Sequence, residues 1–239
     1  MKCLPIFLLL LSFSAGAGSF VHSWSYSQQV STRPISVQTD SSHFSGGVKG
    51  DGDLTSSHRQ LDPFDAIELE IPAQLVYRPS GDAKLQLIAD SNLHDIVETQ
   101  VIGGTLRINA TQGFSTAQKI TIEVGSPSLI AAVLRGSGAL TVEQAEGDSL
   151  QLAVLGTGVI TVIGQYHSIE AGIQGSGVID SSALKARSCR LVVQGTGRIR
   201  SHCDIELNAS VLGSGDIQVL GSPRVKRLSN IGSGRIHLR

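Results

Sequence analysis

The residues whose types and spacing could do chemistry are six copies of the tripeptide Gly-Ser/Thr-Gly in the second half of the chain. Two glycines around a hydroxyl could cradle a phosphate or help to hold a calcium ion. A phosphate loop needs a helix N-terminus, whereas these tripeptides precede strand-like sequence such as "GTGVITVI". A calcium repeat needs a regular Asp after the glycines, and only Asp216 stands there. The residues that follow the tripeptides therefore disfavour a phosphate site and exclude a calcium site.

The hydroxyl groups between the glycines are the second chemical feature. If the copies stack, these side chains form one column with a spacing of about 4.8 Å, which could contact a sugar or an ice surface. A broad binding face would need a second matching rank of hydroxyls, and the sequence has none. The column is therefore a candidate ligand-facing surface. The simpler interpretation is that its hydroxyl groups form hydrogen bonds from coil to coil or to water. Its members are Ser137, Thr157, Ser176, Thr196, Ser214 and Ser233.

Nucleophilic and metal chemistry find little support in the sequence. His202-Cys203-Asp204 is the one dense polar cluster, and we expect its His and Asp side chains to point to opposite faces of a strand. Cys203 would need a base supplied from elsewhere in the fold. The seven histidines lack a metal-ligand spacing such as His-x-x-x-His. We therefore predict no catalytic residue, no metal site and no cofactor.

Acidic side chains carry the main enzymatic alternative, because some parallel β-helices cleave acidic polysaccharides with grouped carboxylates. Here the candidates stand at different repeat positions, and no pair recurs at one offset on neighbouring repeats. The simpler interpretation is a set of solvated turn residues, with a polysaccharide lyase or hydrolase as the alternative. The candidates are Glu143, Glu146, Asp148, Asp180 and Asp204.

The near-constant period of the tripeptides identifies the elements that must position them. Successive first glycines lie 20, 19, 20, 18 and 19 residues apart. Aligned on that glycine, the sequence has aliphatic columns two residues apart, which is the period of a β-strand. Four residues after the glycine stand Leu140, Ile160, Ile179, Ile199, Ile217 and Ile236. Two residues before it stand Leu134, Val154, Ile173, Val193, Val211 and Asn230. Four residues before it stand Ala132, Leu152, Ala171, Leu191, Ala209 and Leu228. Six residues before it stand Ile130, Leu150, Ile169, Cys189, Leu207 and Lys226.

One repeat of this length can bury its aliphatic side chains only against its neighbours. We therefore predict an all-β fold, a parallel β-helix or solenoid of about six coils. Glycine is required where a coil turns a narrow corner, because a Cβ would collide there or φ must be positive. The predicted corner glycines are Gly136, Gly138, Gly156, Gly158, Gly175, Gly177, Gly195, Gly197, Gly213, Gly215, Gly232 and Gly234.

The chain divides into three predicted parts. Residues 1–17 combine Lys2, an apolar core and an Ala15-Gly16-Ala17 cleavage pattern, which indicates a secretory signal peptide. Residues 18–60 are polar and are predicted to be a poorly ordered spacer. Residues 61–239 form the β domain, with short strands in 61–125, including a Gly-Gly hairpin, and the repeats in 126–239.

The cysteines left after the predicted cleavage are Cys189 and Cys203. Cys189 occupies a column otherwise filled mostly by Ile or Leu, which predicts a buried side chain that packs as a small apolar group. An exported compartment would permit a disulfide, and that pairing is the alternative interpretation.

Composition and charge limit the classes of partner that the protein can bind. A formal net charge of -1 and an aromatic content of 4% argue against nucleic acid as a ligand. The signal peptide predicts an exported protein, in the periplasm or at the cell surface, and the sequence has no transmembrane candidate after it. The expected partner is an envelope protein or a glycan. A homo-oligomer is a further expectation, because a solenoid end can stack on another copy.

Together with the tripeptides, four short segments resemble the auto-transporter adhesin head GIN-domain family. The segments are Phe64-Asp65-Ala66-Ile67, Gly81-Asp82, Asp90-Ser91-Asn92-Leu93 and Gly104-Thr105-Leu106. The resemblance spans about residues 59–239. It implies a right-handed β-helix-like fold and a surface or periplasmic role without known catalysis. We therefore expect a non-catalytic adhesion or interaction module, and carbohydrate binding by the hydroxyl column is a second alternative beside the enzyme.

Overall fold

A computed structural model describes residues 47–239, and the predicted signal peptide (1–17) and most of the predicted spacer lie outside the described residues. Within 47–239 the chain forms β-strands, one 3-10 turn at Ser91–Leu93 and no α-helix. In the same range no helix is long and apolar enough to cross a membrane. The strands are β1 Val48–Lys49, β2 Leu54–Gln60, β3 Ala66–Leu69, β4 Gln74–Pro79, β5 Lys84–Asp90, β6 Val97–Ile102, β7 Thr105–Ala110, β8 Phe114–Ser115, β9 Thr121–Ser126, β10 Ala131–Gly136, β11 Ala139–Gly156, β12 Val159–Gly175, β13 Val178–Gly195, β14 Arg198–His202, β15 Glu206–Gly213, β16 Asp216–Leu220, β17 Val225–Gly232 and β18 Arg235–Leu238.

Two parallel ladders run along the stack. Ladder A joins β7, β3, β10, the second parts of β11, β12 and β13, then β15 and β17. Ladder B joins β9, β4, the first parts of β11, β12 and β13, then β14, β16 and β18. The strand before each tripeptide lies in ladder A and the strand after it in ladder B, so the tripeptide forms the corner. The predicted parallel β-solenoid is confirmed, and its six tripeptide corners bound five complete turns.

Each corner depends on the close approach of backbones in successive coils. The first glycine of every tripeptide has a φ between +92° and +134°, a conformation that favours glycine. The second glycine lies against the previous coil: a Cβ on Gly158 would stand 2.5 Å from Leu134 Cδ2 and 2.8 Å from the Gly138 carbonyl oxygen. The Thr157 amide donates to the Gly136 carbonyl oxygen at 2.9 Å. The hydrogen-bond ladder therefore continues through the corner.

The aliphatic columns fill the interior, with departures in the first and last coils. In the column four residues after the first glycine, every side chain from Leu140 to Ile217 is at most 1% exposed. In the last coil Leu228 is 48% exposed, because no further coil covers it within residues 47–239. The prediction for Ile130 is wrong, since its side chain is 50% exposed. Strand alternation begins only at β10, and Leu129 supplies the buried side chain instead.

Two further layers extend the stack beyond the first tripeptide coil without any tripeptide. β3 lies between β10 and β7, and β4 lies between β11 and β9. Beyond them, β6 pairs antiparallel with β7, and β5 pairs antiparallel with β9. Gly103 and Gly104, with φ of +57° and +78°, form the tight turn between β6 and β7, as the Gly-Gly signal predicts. The short strands of this region therefore continue the same stack.

Strand β2 corrects the predicted spacer. The sequence predicts poor order up to residue 60, whereas Leu54–Gln60 pairs antiparallel with β5 along its whole length. Side-chain bonds help to hold this polar strand, because Arg59 donates to the carbonyl oxygens of His94 and Val97, each at 2.7 Å. A strand with few apolar residues can thus be ordered by backbone pairing and one half-buried guanidinium.

A disulfide crosses the interior of the stack. Cys189 in ladder A is bonded to Cys203, which follows β14, and their Cα atoms are 6.1 Å apart. Both residues are buried, but the expectation that Cys189 packs as a free thiol is wrong. The two positions face each other across one coil, on either side of the corner that begins at Gly195. Alignment on the tripeptides compares positions along one column and does not reveal such a contact between ladders.

Replacement of a second corner glycine is expected to destabilise the stack. Gly158→Val places a side chain against Leu134 and the Gly138 carbonyl, so we expect the free energy of unfolding to fall by about 3 kcal/mol. Thr157→Val is the matched control at the neighbouring exposed position, with an expected change within about 0.5 kcal/mol. Urea unfolding of both variants checks the difference, and equal effects would contradict the role given to the corner.

Loss of the disulfide is expected to destabilise the domain. Cys189→Ala combined with Cys203→Ala should lower the free energy of unfolding by about 2–4 kcal/mol, because the bond restricts the conformations of the unfolded chain between the two residues. Mass analysis after alkylation of denatured, unreduced protein should find neither thiol free. Alkylation of both cysteines in that sample would contradict the pairing.

Candidate functional site

A groove runs along the third side of the stack, where the chain returns from ladder B to ladder A. Three successive coils align there, because residues 145–147 pair with 164–166 and these pair with 184–186. Equivalent side chains therefore lie about 4.8 Å apart along the axis. The groove has a volume of about 500 Å³ and is lined by Glu146, Gly147, Asp148, Gln165, Tyr166, His167, Lys185, Ala186, Arg187 and Asp204.

Local backbone geometry turns the chain onto this third side. The strand register shifts after Val142 in one coil and after Thr161 in the next, as at a β-bulge. Gln144 adopts a φ of +55°, and a Cβ on Gly164 would collide with the Ala145 carbonyl oxygen. Bulges re-aim the side chains that follow them, so the groove residues leave the plane of ladder B.

The floor of the groove is closely packed. It consists of the column Gly147, Tyr166 and Ala186, and the Tyr166 hydroxyl donates to the Leu129 carbonyl oxygen at 2.8 Å. Burial raises the pKa of the Tyr166 phenol, and the nearby Tyr77 phenol raises it further. Tyr166 is therefore a structural donor near neutral pH. A Cβ on Gly147 would lie 2.8 Å from Tyr166 Cε1, so glycine lets the chain pass close above the ring.

The walls of the groove are two rows of exposed polar and charged side chains. One wall carries Glu146, Gln165 and Lys185, and the other carries Asp148, His167 and Arg187. Along the axis the walls change from two carboxylates, through the amide and the imidazole, to two cations. Exposed charged groups above a fixed floor can bind a ligand through charge-assisted hydrogen bonds. The arrangement has the features of a binding groove.

Three of the five acidic candidates meet at this groove. Glu146, Asp148 and Asp204 line it, whereas Glu143 accepts a hydrogen bond from Arg78 at 2.8 Å and Asp180 lies 3.7 Å from Arg200. The prediction of scattered turn residues is therefore wrong for the first three. Alignment on the tripeptides places the wall residues of the three coils at common offsets, but the residue type changes from coil to coil, so the columns do not look like a repeat. Asp204 shares neither offset.

The cluster around Cys203 lies beside the groove without a nucleophile. His202 and Asp204, expected to point apart, form a hydrogen bond of 2.9 Å between their side chains, because residues two apart can share one face. Cys203 is buried in the disulfide and has no thiol. Within residues 47–239, no group of three or more His, Cys, Asp or Glu side chains is placed to hold a metal ion.

The hydroxyl column lies on the outer corner of the stack, away from the groove. All six side chains are exposed. Thr196 donates to Ser176 Oγ at 2.9 Å, and the Ser214 and Ser233 hydroxyls are also 2.9 Å apart. Part of the column thus bonds from coil to coil, and its remaining hydrogen-bonding capacity faces solvent. The twelve corner glycines stand beside it in the positions described above.

The chain matches a known protein family over about two thirds of its length. The family model described as "Putative auto-transporter adhesin, head GIN domain" matches residues 63–223. Comparison with curated proteins gave no match.

Several solved structures are similar to this chain. A "putative adhesin" from Bacteroides fragilis is 23% identical with a TM-score of 0.68, and the alignment covers 81% of this chain and 100% of that one. A "putative lipid binding protein" from Parabacteroides distasonis is 20% identical with a TM-score of 0.61, covering 80% and 99%. A "putative adhesin" from Parabacteroides merdae is 19% identical with a TM-score of 0.57, covering 80% and 98%. At these identities the likeness establishes the fold.

Removal of wall charges is expected to leave the fold intact. Lys185→Gln and Arg187→Gln should each change the free energy of unfolding by less than about 0.5 kcal/mol, because both side chains are solvated. Tyr166→Phe removes the buried hydroxyl bonded to Leu129 and should lower it by about 1 kcal/mol. Urea unfolding separates the two classes, and equal losses in wall and floor would assign the walls a structural role.

Proposed function

The chain belongs to the auto-transporter adhesin head GIN-domain family, and from that premise we propose that it is an exported, non-catalytic adhesion or interaction module of the cell envelope. The observation that carries the proposal is the groove, in which charged side chains stand exposed above a packed floor on three coils. A rigid scaffold that displays exposed polar groups suits recognition without reaction.

Two features support export. The first residues of the sequence have the composition of a secretory signal peptide with small residues at Ala15 and Ala17. The disulfide between Cys189 and Cys203 is the second feature, since such bonds persist in oxidising compartments outside the cytosol. A periplasmic or cell-surface location agrees with both.

The groove favours a glycan of the cell envelope as the ligand. Three coils span about 10 Å along the axis, a length suited to a short stretch of a linear sugar chain. Lys185 and Arg187 can bind carboxylate, sulfate or phosphate groups on the chain, and Glu146 and Asp148 can accept bonds from its hydroxyls or amines. The hydroxyl column around Ser176 and Thr196 is the alternative contact surface.

A glycan array probed with the protein from residue 18 onward tests this proposal. We expect binding to a set of charged glycans, and the double variant Lys185→Gln/Arg187→Gln should bind the strongest of them at least about tenfold more weakly, which is about 1.4 kcal/mol. Ser176→Ala/Thr196→Ala is the control and should bind normally. The opposite pattern would move the site to the hydroxyl column, and an empty array would contradict glycan recognition.

A polysaccharide-active enzyme is the second candidate, and the grouping of Glu146, Asp148 and His167 in one groove favours it. A lyase or hydrolase needs an acid and a base on either side of one sugar linkage. Incubation of the glycans bound on the array with the protein, followed by mass analysis, separates the candidates. We expect intact glycans, and shortened or unsaturated products that disappear in Asp148→Asn would contradict the non-catalytic proposal.

A further inference from the structure

The C-terminal end of the stack carries open strand edges on both ladders. Within residues 47–239, β17 is the outermost strand of ladder A and β18 that of ladder B. The free N–H and C=O groups of an edge strand are a template for another strand. Side chains are uncovered there as well, since Val225, Leu228 and Ile231 are 45%, 48% and 65% exposed. Ala209, which pairs with Leu228 in the previous coil, is fully buried.

This end of the stack is also positively charged. Residues 217–239 contain five Arg or Lys and no Asp or Glu. Arg227 bonds to Glu206 at 2.7 Å, whereas Lys226 and Arg235 form no ion pair within residues 47–239. Two such ends would repel each other, because like charges brought together at an interface are unfavourable. A suitable partner for this surface is therefore acidic and offers a strand edge.

The opposite end of the same molecule has those properties. Its outermost strands are β6 on ladder A and β2 on ladder B, and β2 lies one strand further out because it pairs with β5, the counterpart of β6. The outer edge of β2 has no partner strand among the described residues, whereas Arg59 of β2 already bonds to the Val97 carbonyl of β6. Leu54 and Ile102 are exposed there by 48% and 51%. The exposed carboxylates of Asp53 and Asp95 lie next to these strands. Residues 47–110 contain ten Asp or Glu against five Arg or Lys.

We propose that the C-terminal end of one copy docks on the β6–β2 end of a second copy, so that the protein self-associates head to tail. The contact extends ladder B, with β18 parallel to β2. On ladder A, β17 and β6 are then about two strand spacings apart, roughly 9.6 Å, and the exposed aliphatic side chains meet there without strand pairing. Because the two surfaces differ, the contact is heterologous and generates a linear assembly. Such an assembly repeats the third-side groove along one axis, which raises avidity for a repetitive ligand.

Sedimentation velocity of the protein from residue 18 onward tests this inference. At low salt the average mass should rise with protein concentration, and at about 0.5 M sodium chloride it should fall toward the monomer, because salt screens charges at the contact. Lys226→Glu/Arg235→Glu and Asp53→Lys/Asp95→Lys should each remain monomeric when alone. Lys185→Glu/Arg187→Glu carries a matched charge change in the middle of the stack and should associate as the unmodified protein does.

A mixture of the two end variants provides the decisive comparison. The acidic C-terminal end of one variant meets the basic β6–β2 end of the other, so an equimolar mixture should recover the mass that each variant lost. A monomer at every concentration and salt would overturn the inference. So would association that survives either charge reversal, as in a symmetric dimer, or a mixture that stays monomeric although both variants are folded by circular dichroism.

Discussion

The approach of successive coils at the glycine corners is the constraint on which the rest of the structure depends. The backbone of each corner accepts hydrogen bonds from the next, as Gly136 does from Thr157, and a Cβ on Gly158 would enter the space of the previous coil. With that spacing fixed, ladder A and ladder B share one register, and the aliphatic columns meet in the interior. Burial of these columns is the main stabilising contribution, which adds to the backbone bonds of the ladders.

The same constraint distributes function over the surface. Inward positions are occupied by aliphatic side chains and the corners by glycine. Polar and charged residues can therefore be placed on the third side and at the two ends of the stack without disturbing the coils. On the third side, bulges after Val142 and Thr161 turn three coils into a groove with Tyr166 as its floor. At the ends, strand edges stay open and the charge differs in sign. A ligand groove and a self-association surface can therefore coexist, because they use different sides of the same coils.

The repeats were predictable from the sequence because every coil must stack in the same way, so its glycines and aliphatic residues recur at nearly the same spacing. The columns that contain Leu140 and Ile160 could be identified from the tripeptide period alone. The groove could not, because its wall columns change from carboxylate through amide or imidazole to cation, as from Glu146 to Lys185, so no residue type recurs at one offset. The disulfide of Cys189 could be given only as an alternative, because its partner lies across the interior, where no sequence period applies. The order of β2 was missed for a related reason, since a polar edge strand is stabilised by its neighbours and leaves little hydrophobic pattern.

The central claim is that the tripeptide corners are part of the hydrogen-bond ladder, although their hydroxyl side chains are exposed. Amide hydrogen exchange at single-residue resolution tests it most directly, because bonded amides exchange slowly and loop amides exchange fast. We predict that the amides of Thr157, Ser176 and Thr196, which donate to glycine carbonyls of the previous coil at 2.9–3.0 Å, exchange as slowly as those of the flanking strands. Fast exchange at these three amides, with slow exchange in the strands beside them, would contradict the account.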